Sequence, residues 1–283
     1  MKLARFSHDG QTALGLVEED AVCRISGRVE GVTDDMIGLI ARWDELRPEI
    51  ERLRGRRDYA LTDISLKAPI ARPGKIWAIG LNYADHIDET RLQPTSHQLW
   101  FTKAQTAIAD PYQSIELPLV SEALDYEAEL VFVVGKAGRH IGEERAVEHI
   151  FGYAVGNDVS VRDFQMHSGQ FSIGKSFDTH APFGPWIVTS DEIDPSALPI
   201  RTLVNGIMRQ ESNTCHMIHT PSAQLAYLSQ AMTMEPGDLV FTGTPGGVGM
   251  AMQPPQYLAA GDCVRVEIDG IGFIENRVQG ERG

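Results

Sequence analysis

The sequence predicts a β-rich α+β fold in which a small N-terminal accessory domain precedes a larger, strand-dominated domain. Three observations support this prediction. Glycine and proline recur along the whole chain, at 27 and 15 of 283 residues. Short apolar runs alternate with turn signals, and helical spacing of apolar residues is only local. This pattern is typical of many short strands and not of a helical bundle, so the larger domain is expected to be all-β or β-rich α+β.

The accessory domain is expected to span residues 1–70. Residues 2–6 and 13–17 can form short strands, with the turn signal Asp9-Gly10 between them. Residues 34–57 have apolar side chains at helical spacing and end in a basic stretch. That stretch can be an anion-binding patch, but we interpret it as the solvated end of a helix.

The larger domain is expected to span residues 71–283, because Pro69 and Pro73 bracket the change of pattern. Its predicted strands are short apolar runs that end at glycine or proline turns: 75–81, 130–135, 152–161, 186–188, 238–242 and 263–268. Helical spacing appears locally at 223–232, and no internal repeat is found.

The formal net charge of the chain is −14 at pH 7. Such a surface repels nucleic-acid phosphates and anionic membranes, so neither is expected as a partner. It would also repel an anionic substrate, unless a bound cation or local basic groups reverse the potential at the site. A metal ion would therefore be useful to this protein if its substrate is an anion.

Three widely spaced cysteines lie in no ligand pattern and predict free thiols in a reducing compartment. The first residues lack the apolar segment of a signal peptide. The longest apolar run, residues 130–134, is too short to span a bilayer. We therefore expect a cytoplasmic protein.

Two carboxylates beside the predicted strand 130–135 form the first part of a candidate metal site. Because strand side chains alternate faces, Glu127 and Glu129 should project from one face as near neighbours. Carboxylates this close repel each other unless a cation lies between them. Oxygen ligands suit Mg²⁺, Mn²⁺ or Ca²⁺ better than Zn²⁺. Taken alone, the pair also fits the solvent-facing side of an antiparallel strand.

The predicted strand 152–161 adds a third carboxylate, Asp158. On its face the neighbouring side chains are small, as at Ala154 and Gly156, which leaves room beside the backbone. Arg162 and Gln165 follow one or two turns later. A carboxylate among small residues, followed by a guanidinium and an amide, is consistent with a pocket for a metal and an anion. An ordinary salt bridge on a partly exposed strand remains the alternative.

Seven ordered segments make the sequence resemble the fumarylacetoacetate hydrolase family over roughly residues 70–278. The segments are 80–86, 126–130, 157–163, 174–178, 204–206, 241–245 and 247–249. The resemblance implies a mixed β-sandwich/β-roll catalytic domain after the small N-terminal domain, and a homodimer. The sequence differs from the family pattern in two places: Ala104 stands where relatives commonly have proline, and the loop between Gln165 and Lys175 is short. Both differences bear on the identity of the substrate and not on the metal.

The resemblance also implies roles for individual residues. Mg²⁺, with Mn²⁺ or Ca²⁺ as substitutes, would be held by Glu127, Glu129 and Asp158. Lys175 would be catalytic, and substrate would be bound by Arg162, Gln165 and Thr244.

His86 and Glu89 form a candidate catalytic pair. Three residues apart on a helical turn, they share a face, where a carboxylate can orient an imidazole. A histidine supported in this way can serve as a general base for water. The family resemblance implies such a pair on a lid, here at about residues 85–96, that closes over the metal. Without that resemblance, a surface histidine among acidic residues would be the preferred interpretation.

Residues 169–176 match the phosphate-loop pattern GxxxxGK[ST] residue for residue. A phosphate loop follows a buried strand and opens a helix. Here the preceding residues are mostly polar, and Pro182 and Pro185 would end a helix almost at once. We therefore do not expect a nucleotide site.

The leading functional expectation is a Mg²⁺-dependent hydrolase that cleaves a C–C bond in an acylpyruvate-type 2,4-dioxo acid. In that reaction His86 would activate water, and Lys175 with Gln165 would stabilise the oxyanion. A decarboxylase or keto–enol isomerase of a 2-oxo diacid such as oxaloacetate is the first alternative. A non-catalytic ligand-binding relative is the second.

Overall fold

The computed structural model of the protein describes residues 1–84 and 97–281. In the first part, the elements are β1 (Lys2–His8), β2 (Gln11–Glu18), β3 (Ala21–Arg24), α1 (Met36–Ala41), α2 (Trp43–Glu51), β4 (Tyr59–Ala60), β5 (Ser65–Lys67) and β6 (Ile76–Gly80).

Ten strands and helices follow between residues 99 and 189. They are β7 (Leu99–Thr102), β8 (Ile108–Ala109), β9 (Ile115–Leu117), β10 (Leu124–Asp125), β11 (Ala128–Val134), α3 (Glu143–Ala146), β12 (Ile150–Asn157), β13 (Ser160–Val161), α4 (Arg162–Met166) and β14 (Ala181–Thr189). The last are β15 (Pro199–Val204), β16 (Ile207–Asn213), α5 (Pro221–Ala231), β17 (Leu239–Phe241), β18 (Cys263–Ile268) and β19 (Gly272–Gly280).

The described strands form three sheets. A 12-stranded sheet has the order β4-β3-β2-β1-β14-β12-β11-β17-β6-β7, with β5 paired to β1 and β8 to β14. A five-stranded sheet has the order β16-β15-β18-β19-β9, and β10 pairs with β13. The fold is thus a strand-rich mixture of α and β with several sheets, which confirms the predicted fold class.

The N-terminal strands continue the large sheet. β1 pairs antiparallel with β14, placing Lys2 opposite Val188 and Leu3 opposite Ile187. The apolar side chains of β1, β2, α1 and α2 pack against that same sheet in one cluster, which includes Leu14, Ile40 and Ile50. The N-terminal part therefore shares backbone hydrogen bonds and core with the larger part.

A second cluster lies on the other face of the large sheet. It includes Leu130 and Phe132 of β11, Leu225 of α5 and Ile274 of β19. The central strands β11 and β12 are buried along their whole length because both faces are covered. Such strands form a rigid support for polar side chains placed at their ends.

Two elements differ from the sequence prediction. The helical stretch 34–57 is divided at Arg42, where α1 ends and α2 begins. The predicted strand 152–161 is also interrupted, because β12 ends at Asn157 and β13 begins at Ser160. The second break lets the chain turn at Asp158, which bears directly on the site. Within the described residues, no helix has the length and hydropathy needed to cross a bilayer.

Candidate metal centre

Three carboxylates converge where β11 begins and β12 ends. Glu129 lies on β11 opposite Gly156 of β12, while Glu127 comes just before β11 and Asp158 just after β12. Oxygen atoms of Glu127, Glu129 and Asp158 lie within 4.8 Å of one another, and all three side chains are buried. Because the strands run antiparallel, the start of one and the end of the other meet at the same edge of the sheet.

Backbone hydrogen bonds hold this edge in place. The amide of Asp158 donates to the carbonyl of Glu127 at 2.9 Å. The amide of Glu127 donates to Oδ1 of Asn157, also at 2.9 Å. Asn157 thus ties the end of β12 to the residue before β11, and the interruption of the strand is what brings Asp158 beside Glu127.

Two lysines contact the triad. The Nζ of Lys175 donates to Glu127 Oε2 at 2.7 Å and to Asp158 Oδ2 at 2.8 Å. The Nζ of Lys103 donates to Asp158 Oδ1 at 2.5 Å and to the carbonyl of Val159 at 3.3 Å. Burial alone would lower the pKa of Lys175, but Asp158 and Glu127 outweigh it and raise that pKa. For Lys103, burial prevails over Asp158 and lowers the pKa.

Glu129 is the member of the triad with no cation bonded to it among the described residues. Its Oε2 accepts a hydrogen bond from the Gly243 amide at 2.7 Å. Burial, reinforced by the charges of Asp158 and Glu127, raises the pKa of Glu129 well above its ordinary value. The ionised form of this carboxylate therefore needs a further positive charge close to it.

Gly243 can approach Glu129 because it lacks a side chain. Its φ is +96°, and a Cβ there would come within 2.7 Å of the Asn82 Cβ. Any larger residue would be strained and would move the amide away from Glu129.

Arg162 begins α4 and connects the triad to a fourth carboxylate. Its Nε donates to Asp125 Oδ2 at 2.8 Å, and its Nη1 donates to Glu127 Oε1 at 2.6 Å and to Gln165 Oε1 at 2.9 Å. Its buried Nη2 has no acceptor among the described residues. Arg162 therefore fixes Glu127 while keeping one hydrogen-bond donor available.

These residues fit a divalent cation. Four buried carboxylates (Asp125, Glu127, Glu129 and Asp158) face three buried cations (Lys103, Arg162 and Lys175), which leaves one uncompensated negative charge when all are ionised. Three carboxylate oxygens within 4.8 Å are also the donor set that Mg²⁺ and Mn²⁺ prefer. A bound divalent cation would change the net charge of the cluster from −1 to +1, the sign that attracts an anionic substrate.

A cavity of about 570 Å³ opens beside the triad. One wall is polar and carries Glu127, Arg162, Gln165, Lys175 and Thr244. The Thr244 hydroxyl accepts a hydrogen bond from the Gln210 amide at 2.8 Å. The structure thus places Glu127, Lys175 and the predicted substrate contacts in the lining of one cavity, with Glu129 and Asp158 beside Glu127.

Two further sequence interpretations concern the His86/Glu89 pair and the match to a phosphate loop. His86 and Glu89, with the rest of the expected lid, lie outside the described residues. The segment that matches a phosphate loop contains a 3₁₀ turn, Phe171–Ile173, and no helix follows it up to β14. The lysine of that segment, Lys175, instead binds two carboxylates of the triad.

Sequence reasoning missed two residues of the cluster, Asp125 and Lys103. Asp125 directly precedes the resemblance segment 126–130, and Lys103 directly precedes Ala104, where the sequence departs from the family pattern. Neither position has a spacing that points to the triad, because both reach it through tertiary contacts.

Comparison with known proteins identifies related sequences. The family model described as "Fumarylacetoacetate (FAA) hydrolase C-terminal" matches residues 75–279, and one described as "Rv2993c-like, N-terminal" matches residues 1–69. The chain is 47% identical over 220 residues to the mitochondrial oxaloacetate tautomerase fahd2 of Xenopus laevis, covering 77% of this chain and 69% of that one.

Solved structures agree in fold. A fumarylacetoacetate hydrolase from Exiguobacterium antarcticum has a TM-score of 0.88 and 39% identity, covering 99% of this chain and 100% of its own. The maleylpyruvate hydrolase from Sphingobium sp. SYK-6, solved with manganese(II) and pyruvate, has a TM-score of 0.85 and 31% identity, with both chains covered completely.

Proposed function

Since the chain belongs to the fumarylacetoacetate hydrolase family, we propose that it is a divalent-metal-dependent hydrolase of a C–C bond in a 2,4-dioxo acid. The supporting observation is the convergence of three buried carboxylates, of which Glu127 lines a cavity together with Lys175 and Arg162. Mg²⁺ is the proposed physiological metal, and Mn²⁺ its substitute.

The triad defines where the substrate is recognised. A divalent cation held by Glu127, Glu129 and Asp158 would bind the substrate's carboxylate and 2-oxo group and act as a Lewis acid there. Arg162 keeps Glu127 oriented through Nη1, and its side chain lines the same cavity. These contacts fix which end of the substrate lies at the triad.

Lys175 and its neighbours are proposed to contact the substrate's second carbonyl, the 4-oxo group, which lies farther from the metal. The Lys175 ammonium lines the cavity and can donate to an oxygen that gains negative charge when a nucleophile attacks. Gln165 and Thr244 line the same wall and supply further polar atoms. A positioned donor of this kind commonly stabilises the transition state by ~3–4 kcal/mol. The proposed general base for water is His86, oriented by Glu89.

Keto–enol tautomerisation of oxaloacetate is the second candidate. It is favoured by the 47% identity to an oxaloacetate tautomerase. Tautomerisation, like decarboxylation of the same diacid, needs no attacking water. We place hydrolysis first because Lys175 lies at the triad and lines the cavity, where it can donate to an oxygen that gains negative charge when water attacks.

Product analysis in labelled water separates these reactions. The Mg²⁺-loaded protein is given an acylpyruvate in H₂¹⁸O, and in parallel oxaloacetate, whose enol is followed by absorbance. A hydrolase yields pyruvate and a carboxylic acid that carries ¹⁸O, and His86→Ala lowers its kcat by ~10²–10⁴.

Fast enol–keto exchange of oxaloacetate without cleavage of any 2,4-dioxo acid would replace the hydrolase assignment by the tautomerase. Release of CO₂ would indicate the decarboxylase. Metal binding without turnover of any of these acids would indicate a ligand-binding protein.

A further inference from the structure

The cavity beside the triad is lined by two kinds of residue. Besides the charged and polar residues of the triad wall, the lining includes the apolar side chains of Leu99, Met166, Phe171, Met250 and Met252, here together called the arm. The charged residues among the described lining are Glu127, Arg162 and Lys175, which all belong to the triad wall. Among the described residues, the part of the lining outside the triad wall is therefore uncharged.

A cation lies just behind this surface. Nη1 of Arg209, on β16, contacts the Met252 Sδ at 3.6 Å, while Arg209 itself does not line the cavity. Arg209 forms no ion pair with a described residue. The Met252 side chain thus lines the cavity and separates it from the Arg209 guanidinium, which has no described carboxylate partner.

The wall that holds Met252 is firmly attached to the metal centre. Met252 follows the 3₁₀ turn Gly249–Ala251. Asp125 accepts hydrogen bonds from the amides of Gly249 at 2.8 Å and Met250 at 3.0 Å. The same carboxylate binds Arg162, which holds Glu127. The position of Met252 is therefore set relative to the triad.

We infer that the arm binds an uncharged, apolar substituent beyond C4 of the 2-oxo acid, and that Met252 determines this specificity by covering Arg209. The inference rests on the proposed function, because it assumes that a 2-oxo acid group lies at the triad. A terminal carboxylate in the arm loses water and gains no cation from the described lining, which is unfavourable. Each methylene buried there gains affinity about fourfold, equivalent to about 0.8 kcal/mol.

Measuring ligand affinities for the Mn²⁺-loaded protein by calorimetry tests the specificity of the arm without requiring turnover. The matched probes are 2-oxooctanoate and 2-oxooctanedioate, which have equal length and differ in a terminal methyl or carboxylate. We expect the parent protein to bind 2-oxooctanoate at least tenfold more tightly. Met252→Ala exposes Arg209 and should improve 2-oxooctanedioate binding at least tenfold relative to 2-oxooctanoate.

Two further variants isolate the cause. Met252→Leu keeps the cover, so it should keep the parent's preference. The double variant Met252→Ala with Arg209→Met should lose the gain in diacid binding, since the exposed cation is gone. A gain that persists in the double variant overturns the role of Arg209.

Binding of pyruvate, measured in parallel, distinguishes failure of this inference from failure of the proposed function. Equal or tighter binding of 2-oxooctanedioate by the parent, with pyruvate also bound, overturns the arm's specificity and leaves the 2-oxo acid site intact. Binding of pyruvate but of neither eight-carbon acid overturns it as well. No binding of pyruvate would overturn the proposed function, and with it this inference.

Discussion

Lys175 donates to Glu127 Oε2 and Asp158 Oδ2, two of the oxygens that a metal ion at the triad would use. An ammonium and a divalent cation on the same oxygens repel each other. Lys175 therefore offsets one of the triad's negative charges and competes with a metal ion for these oxygens. Because it also lines the cavity, it can donate to the substrate once a metal carries that charge.

Lys175→Met should separate metal binding from catalysis. We expect Mn²⁺ to bind at least as tightly as to the parent, because a competing cation is removed, while kcat falls by ~10²–10³. Calorimetry and steady-state kinetics measure the two effects. Loss of Mn²⁺ binding in this variant would mean that Lys175 builds the site rather than competing for it. Lys67→Met, which removes a lysine paired with Asp110 away from the triad, is the control.

The sequence predicted individual site residues where strand periodicity or the family resemblance pointed to them. Glu127 and Glu129 were singled out by their spacing, and Lys175 by the resemblance. Lys103 and Asp125 were not, because their roles depend on contacts across 55 and 37 residues of chain, to Asp158 and Arg162. Two sets of roles stay predictions: metal ligation by Glu127, Glu129 and Asp158, and the roles of Lys175, His86, Glu89, Arg162, Gln165 and Thr244 in the reaction.

At the scale of elements, Asp125 joins α4 to the 3₁₀ turn Gly249–Ala251. It accepts from Arg162 on one side and from the Gly249 and Met250 amides on the other. A Cβ at Gly249 would come within 2.7 Å of Asp125 Oδ1, so the close approach of this turn requires glycine. One buried carboxylate thus fixes both a metal ligand and a wall of the cavity.

Asp125→Asn should therefore weaken stability and ligand binding together. The amide removes the negative charge beside buried Arg162, and breaking such a pair costs about 3–5 kcal/mol. Urea unfolding measures the loss, and calorimetry with 2-oxooctanoate measures the effect on the cavity. Exposed Asp178→Asn should stay within about 0.5 kcal/mol of the parent. If Asp125→Asn were as stable as the parent, Asp125 would not hold Arg162 and the turn Gly249–Ala251 together.

Elements were easiest to predict where apolar periodicity was uniform, as along β1, β2 and β11. The break between β12 and β13 was missed because residues 152–161 keep an unbroken strand pattern. The side-chain bond from Asn157 to the Glu127 amide stabilises the break, and it joins residues 30 apart. Local pattern does not contain such information.

At the scale of the whole molecule, the N-terminal strands and the strands of the metal centre belong to one sheet. Leu3 is fully buried on β1 opposite Ile187 of β14, and β14 pairs with β12, which ends at the triad. The two parts should therefore unfold together. Cytoplasmic location, the homodimer and the absence of nucleic-acid and membrane partners stay predictions.

Calorimetric unfolding of Leu3→Ala tests this continuity. Loss of a buried leucine costs about 2–5 kcal/mol, and the single transition expected for the parent should move as a whole to lower temperature. Leu119→Ala, at a side chain that is 71% exposed, should leave the transition in place. Two separate transitions, with only one displaced, would show that the N-terminal part is energetically independent.

Titration of the purified protein with Mn²⁺ tests the metal centre most directly. We expect one ion per chain, and we expect Glu129→Gln to abolish this binding, because it removes the triad carboxylate that has no described cation bonded to it. Glu116→Gln, at an exposed glutamate outside the triad, should bind like the parent. Parent-like Mn²⁺ affinity in Glu129→Gln would contradict a metal site at Glu127, Glu129 and Asp158.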